Sequence, residues 1–368
     1  DPRATFRPDD VRWNHLSSDR TPAAAVPCPP GIASQAMADT ILQTFPLGFQ
    51  WPTVDPYLFC VHHLDHYPAG NAEFGPAASL AGRTIGSDFE PRDGWRMYHG
   101  SVVPGFPAHP HRGFETVTFV RRGLIDHADS LGAAARYGRG DVQWMTAGRG
   151  IVHAEMMPLL DATQGNTVEL FQIWMNLPAV DKMVEPSYTM LWDGDIPRVT
   201  PAEGVTVTVI AGALDGATPP SPPPASWAAR PGSDVAIWHM VLAEGAAWSL
   251  PPAAGPDTLR VLYPFEGAIA IDGVDLGAAT GALVDAHAVV TVQASQRAEV
   301  LMLQGRPIGE PVAQYGPFVM NTRAEIVQAF ADYRATEFGG WPWDRPDPVH
   351  GAEPRRFARH ADGRIEQP

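Results

Sequence analysis

Apolar and polar positions alternate in short runs along most of the chain, and glycine or proline closes nearly every run. Thr116-Val117-Thr118-Phe119-Val120 is β-branched and aromatic, Gly123 follows as a turn, and Leu124-Ile125-Asp126-His127 reads as the returning strand. Gly138, Gly140 and Asp141 mark a second turn before Val142-Gln143-Trp144-Met145, and Gly148 and Gly150 permit a sharp approach to His153. Only Arg323 to Ala335 repeats with a helical period. Ile326, Val327, Phe330 and Tyr333 are spaced for one face there, and Asn321 or Thr322 can cap its start. The pattern predicts an all-β protein with a C-terminal helix.

Other stretches carry no such period. Thr21 to Gln35 and Pro219 to Pro224 are proline-rich and read as linkers or loops. The segment from Trp341 onward is polar and broken by proline, and is expected to pack by Trp341 and Trp343 or to stay mobile. A length of 368 residues with 45% hydrophobic content suits two domains of about 150 residues plus extensions. Turns repeat weakly between the halves: Gly123 corresponds to Gly267 and Gly140 to Gly281.

Charge and cysteine narrow the setting. A net charge of -15 and a pI near 5.2 oppose direct binding to nucleic acid, which requires concentrated Lys and Arg. Lys182 is the single lysine, so Schiff-base chemistry has one candidate, far from the motifs below. Cys28 and Cys60 give no disulfide framework, and a reducing cytoplasm is the simpler setting. No run of about 18 apolar residues is present, so no membrane span is expected. The first residue is Asp1 rather than Met, which leaves a removed leading segment open.

Two short pieces carry the candidate chemistry. His109 and His111, and His153 and Glu155, are each separated by one residue, so on a strand both members of a pair leave the same face. Side by side, two such strands close a site of three imidazoles and one carboxylate. That set suits a mononuclear first-row divalent metal with positions left open, iron(II) first, with manganese, nickel, copper or cobalt also accepted. Glu115 shares strand parity with the first pair unless Gly113 breaks it, and is placed as a fifth ligand, a replacement for Glu155, or a hydrogen-bond partner of a ligand histidine. His127 has strand context near the site, but Asp126 and Asp129 beside it suggest a solvated hairpin end. His62, His63, His66 and His99 are assigned to surface or core. Carrying the ligand offsets across the repeat places Ala253, Gly255, Ala294 and Gln296 where the ligands stand, so the second half is expected to hold no metal, with His239 and His287 structural.

These residues sit in a wider resemblance. "HPHRGFETVTFVRRG", "HADSLG", "GRGDVQWMTAGRGIVHAEM", "LFQIWMNLP" and "QYGPFVMNTRAEIVQAFADY" resemble, in that order, the pirin family of the cupin superfamily, from about Asp55 to about Phe338. The resemblance implies a bicupin: two tandem β-barrels face to face, with iron held in the N-terminal barrel by His109, His111, His153 and Glu155. The implied division is 1–50 as an N-terminal extension, 51–190 as the metal-bearing barrel, 191–340 as a barrel without metal, and 341–368 as a tail. Two departures stand out: the fifty residues before the family's usual start, and a long Gly/Pro-containing stretch over 67–100 that is placed to cover or reshape the barrel mouth.

The resemblance also implies activity. Some members open flavonols such as quercetin with dioxygen, which makes this chain a candidate quercetin 2,3-dioxygenase-like oxidoreductase with Glu155 as base and Phe106, Phe114, Trp144 and Met145 holding a planar phenolic ring. Other members are redox-responsive regulators that bind a transcription factor or metabolic enzyme. Arg112, Arg121, Arg122, Arg136 and Arg139 would then form a basic patch, unless they are solvated hairpin arginines. A metal-dependent isomerase or lyase is the third reading.

Overall fold

In the computed structural model, which describes residues 39–368, the alternating segments assemble into two antiparallel sandwiches. Cys28 and the Thr21 to Gln35 stretch lie outside the described residues. The first sandwich joins an inner six-stranded sheet, built around Val142–Thr146, Phe114–Arg122, Asn166–Asn176 and Tyr57–Tyr67, to an outer six-stranded sheet built around Ala134–Gly138, Leu124–Asp129, Ile151–Met156 and Gly105–His111. The second joins a seven-stranded sheet, centred on Leu259–Glu266, Ala298–Gly305 and Ala236–Leu242, to a four-stranded one.

In neither unit does one ladder run round a closed barrel; each cupin unit is two antiparallel sheets face to face. The chain changes sheets at corners instead of continuing the ladder. At Gly113, φ is +84° and a Cβ would lie 2.1 Å from the Val319 carbonyl oxygen, so only glycine turns from the outer strand Gly105–His111 into the inner strand Phe114–Arg122.

Period-2 alternation decides what each inner strand touches. On Asn166–Asn176, Phe171, Ile173 and Met175 face the second module, while Leu170, Gln172 and Trp174 face a cavity inside the first. Val117, Phe119, Val142 and Trp144 join the same inter-module core as Ile210, Ile237, Val261, Tyr263, Leu301 and Leu303. Each fully buried side chain of that size stabilises by about 1.5–3 kcal/mol, so the two modules form one cooperative body. The termini reinforce this: Ile41–Pro46 adds an edge strand to the second module, and Phe357–Arg359 pairs with Ala134–Gly138 of the first.

The helix spans Arg323–Thr336, with Thr322 and Glu325 forming a capping box. Ile326, Ala329 and Tyr333 pack on Val152, Phe318 and Met320, with Phe330 alongside. Val327, expected on that face, is 68% exposed. Consecutive helical residues stand about 100° apart, and this helix meets the sheet along a stripe too narrow for both Ile326 and Val327.

Of the five arginines of the expected patch, Arg122 and Arg139 are exposed, Arg122 lying 3.2 Å from Glu169, and the other three are paired within the protein. Arg112 pairs with Asp332, Arg121 with Glu169 and Glu299, and the fully buried Arg136 makes a two-pronged contact with Asp126 at 2.6 Å. Arg136 also binds the Gly351 and Glu353 carbonyl oxygens, which ties down the segment after Trp341, and Trp343 donates to the Asp129 carbonyl oxygen. In the second module His239 is buried against Glu299 at 2.7 Å and His287 is exposed. Among the described residues no helix is long and apolar enough to cross a membrane.

Candidate metal centre

His109 and His153 stand directly opposite each other on paired strands, Gly105–His111 and Ile151–Met156. His111 follows two positions on, so its ring joins theirs on the inward face. Ring centroids lie 4.4 Å apart for His109 and His153, 4.7 Å for His109 and His111, and 4.9 Å for His111 and His153. One ligating nitrogen from each falls within 4.8 Å of the others. His109 Nδ1 donates to the Pro107 carbonyl oxygen at 2.9 Å, which leaves its Nε2 lone pair for the centre.

Burial dominates the electrostatics. It pushes His109 down to about 4, and holds His111 and His153 well below the usual imidazole range, so all three are neutral and present lone pairs at neutral pH. Glu155 lies on the same strand as His153, with Oε2 3.9 Å from His153 Nε2. Its Oε1 lies 3.2 Å from Thr118 Oγ1 and 3.5 Å from the Tyr137 hydroxyl, and burial raises its affinity for a proton.

His127 is not at a solvated hairpin end. It stands opposite Glu155 in the next strand pairing, is fully buried, and its ring lies 5.6 Å from that of His153. The adjacent Asp129 accounts for the polar context: it sits 3.2 Å from His127 Nε2 and accepts the Leu131 and Ala133 amides, so it serves the turn and not the solvent. Glu115 lies on the opposite side of its strand from the histidines, because the Gly113 corner resets parity. Its carboxylate accepts from Thr146 Oγ1 at 2.7 Å and Ser226 Oγ at 2.6 Å, toward the second module, and it neither joins the trio nor bonds to it.

His109, His111 and Glu155 line a cavity of about 720 Å³, and the fully buried His153 packs against the two histidine rings. Phe106 lines it as expected; Phe114, Trp144 and Met145 do not. Trp144 belongs to the inter-module core, Met145 to the core of the first module, and Phe114 backs His111 at 5.0 Å between ring centres. The walls come from Trp174, Gln172 and Phe59 on inner strands, and from Thr84, Phe89, Arg96 and His99 in the long stretch before Gly105. His63, assigned above to surface or core, also lines it. Alternation over Tyr57–Tyr67 puts Phe59, Val61 and His63 on one face, a signal present in the sequence.

The residues fit a metal ion. His111 Nδ1 and both ring nitrogens of His153 are buried with no hydrogen-bond partner, in a protein where such atoms are otherwise mostly paired. Each unpaired buried polar atom costs about 1–3 kcal/mol, and a cation at the convergence point removes part of that penalty. Neutral imidazoles suit a borderline first-row ion.

Both halves of the chain are similar to known proteins. The Pirin family model matches residues 83–175 and the model for the Pirin C-terminal cupin domain matches residues 237–339. A pirin-like protein of Caulobacter vibrioides is 40% identical over 234 residues, covering 64% of this chain and 80% of that protein. A Pseudomonas aeruginosa protein provisionally named quercetin 2,3-dioxygenase is 39% identical over 236 residues, covering 63% of this chain and 79% of its own. The crystal structure of a quercetin 2,3-dioxygenase from Acinetobacter baumannii superposes with a TM-score of 0.66 at 27% identity, covering 82% of this chain and 98% of that one. Both halves match in order across two cupin domains, and the chain belongs to the pirin family.

Proposed function

We propose that this protein is a metal-dependent dioxygenase acting on a planar phenolic substrate of the flavonol type, with iron(II) as the first candidate metal and His109, His111, His153 and Glu155 as its ligands. The observation that carries this reading is the convergence of three neutral imidazoles, two of which, His109 and His111, line an aromatic-walled cavity large enough for a fused-ring molecule. The relatives named as quercetin dioxygenases supply the substrate class. When bound, the metal supplies Lewis acidity toward a phenol oxygen and access to dioxygen chemistry.

The protein's own groups have separate tasks. Phe106 and Trp174 offer flat faces to a planar ring. Glu155, steadied by Thr118 and Tyr137, is the carboxylate placed to accept the proton of a phenol entering beside the histidines. Thr118 and Gln172, 2.8 Å apart, give the inner wall a fixed polar point. The apolar remainder excludes water from the floor.

Anaerobic reconstitution with iron(II), followed by oxygen uptake on adding quercetin, tests the reading. Wild type is expected to consume oxygen and lose the flavonol absorbance band. His111→Ala is expected to bind little metal and to do neither, with its β-sheet circular dichroism retained. Full metal occupancy in that variant overturns the ligand set, and a loaded wild type that consumes no oxygen overturns the dioxygenase.

A further inference from the structure

A hydrogen-bonded chain unrelated to the metal ligands ends in the same cavity. Asp65, fully buried, is paired with Arg96 Nη1 at 3.2 Å and accepts the Tyr98 hydroxyl proton at 2.6 Å. A phenol that donates to a carboxylate has only its lone pairs left for a second partner. The Tyr98 oxygen takes Arg96 Nη1 at 3.2 Å and lies 2.8 Å from His63 Nδ1, so with Asp65 ionised by its pairing with Arg96, the network assigns the His63 proton to Nδ1 as donor. That fixes the tautomer: His63 Nε2 holds the lone pair, and it is the nitrogen left to the cavity that His63 lines.

The ring is held as firmly as the proton. Phe49, Tyr98 and Phe106 contact it edge-on, with centroids at 5.8, 5.0 and 6.0 Å. Burial, with Arg96 and His62 nearby, pushes His63 down to about 3, so the imidazole stays neutral across the physiological range. A neutral imidazole with Nδ1 engaged is an acceptor only. Phe106 lies between this station and the metal floor, its ring 6.3 Å from that of His109. A fused-ring molecule lying along Phe106 therefore has one end at the histidine trio and the other at His63.

We infer that His63 is a specificity-determining residue that accepts a hydrogen bond from a hydroxyl on the end of the substrate remote from the metal, oriented for this by Tyr98 and Asp65. This rests on the reading of the cavity as a site for planar phenols. It refines the substrate class to polyhydroxylated fused-ring phenols, those with a donor on the remote ring as well as the group that meets the metal. A substrate without that donor leaves the Nε2 lone pair dry and unpaired, which is how such sites discriminate.

Binding to the zinc-loaded, redox-inert protein, followed by quenching of tryptophan fluorescence, separates this from turnover. The probes are quercetin and 3-hydroxyflavone, which share the 3-hydroxy-4-keto unit but differ in the ring hydroxyls. Wild type is expected to bind quercetin about tenfold more tightly than 3-hydroxyflavone. His63→Phe, which keeps an aromatic ring but no acceptor, is expected to lose most of that preference through weaker quercetin binding, and His63→Gln, which restores an acceptor, to regain part of it. His63→Ala is read beside them, since the ratio of two ligands on one protein cancels a general packing defect. An unchanged ratio in His63→Phe and His63→Ala overturns this inference alone. Failure of wild type to bind either flavonol overturns the phenolic reading, and this inference with it.

Discussion

Glu115→Gln tests how the two modules are joined. Glu115 is fully buried on the strand face it shares with Val117 and Phe119, where it accepts from Thr146 Oγ1 within its own module and from Ser226 Oγ in the second, between the strands Val205–Ala211 and Ala236–Leu242. Burial outweighs both hydrogen bonds and pushes the carboxyl from 4.5 up to about 7. At roughly 1.4 kcal/mol for each tenfold change in proton affinity, ionising it costs the folded state about 3 kcal/mol. The folded protein retains this proton between pH 4.5 and about 7 while the unfolded chain has released it, so this group's contribution to stability falls as pH rises through that window and is level above it. Glutamine is neutral throughout and keeps one acceptor and one donor for the two hydroxyls. Urea unfolding of both proteins, with chelator present at every pH, is expected to show the variant gaining about 3 kcal/mol relative to wild type from pH 4.5 to 8. All other titrating groups are common to the pair and cancel. Parallel stability curves would refute the argument and mean that Thr146 and Ser226 hold the carboxylate ionised.

Two further perturbations probe the frame around the site. Lys182 Nζ donates to the Gly113 carbonyl oxygen at 2.8 Å, Asn176 Oδ1 at 2.6 Å and the Val319 carbonyl oxygen at 3.2 Å. Lys182→Met leaves three buried acceptors unpaired, and is expected to cost about 3 kcal/mol in chemical denaturation and to weaken metal binding by loosening the corner that aims His111; unchanged stability would show that water replaces the ammonium. Arg121 joins Glu169 of the first module to Glu299 of the second. Arg121→Met strands two carboxylates in a buried interface, with an expected loss of about 3–5 kcal/mol by urea titration; a loss below about 1 kcal/mol would mean that His62, His239 and Arg297 carry the network without it.

Local signals made the candidate site and the strands legible. One-residue spacing puts His109 and His111 on one face of their strand, because sheet parity is a backbone property, and the pairing of His109 with His153 brings the third histidine to it. The cap at Thr322 was legible in the same way, as a local pattern of hydroxyl and carboxylate. What failed depended on distant partners. Glu115 follows a glycine corner whose geometry is set by the Val319 carbonyl oxygen, two hundred residues away in sequence. Trp144 and Met145 are aromatic and apolar like any wall residue, and only the second module's presence makes one of their faces an interface. Arg136 and Arg112 look like solvated charges until the tail and the helix bury them.

The cavity divides its work between two kinds of structure. Its floor stands on strands whose register is fixed by ladder hydrogen bonds, where a shift by one residue would turn all three histidines away. Its outer wall is a stretch with little ladder of its own, held by side chains: Arg83 stacks on Trp95 at 3.4 Å and donates to Asp88 at 2.9 Å, and Asp88 accepts the Met97 amide at 2.9 Å. That stretch delivers Phe89, Arg96 and Tyr98, and with them the alignment of His63. Substitutions in such a loop leave the register of the floor untouched. The position of the histidines therefore depends on strand register, whereas the alignment of His63 depends on side-chain contacts in a stretch that the Pirin family match includes from residue 83 onward.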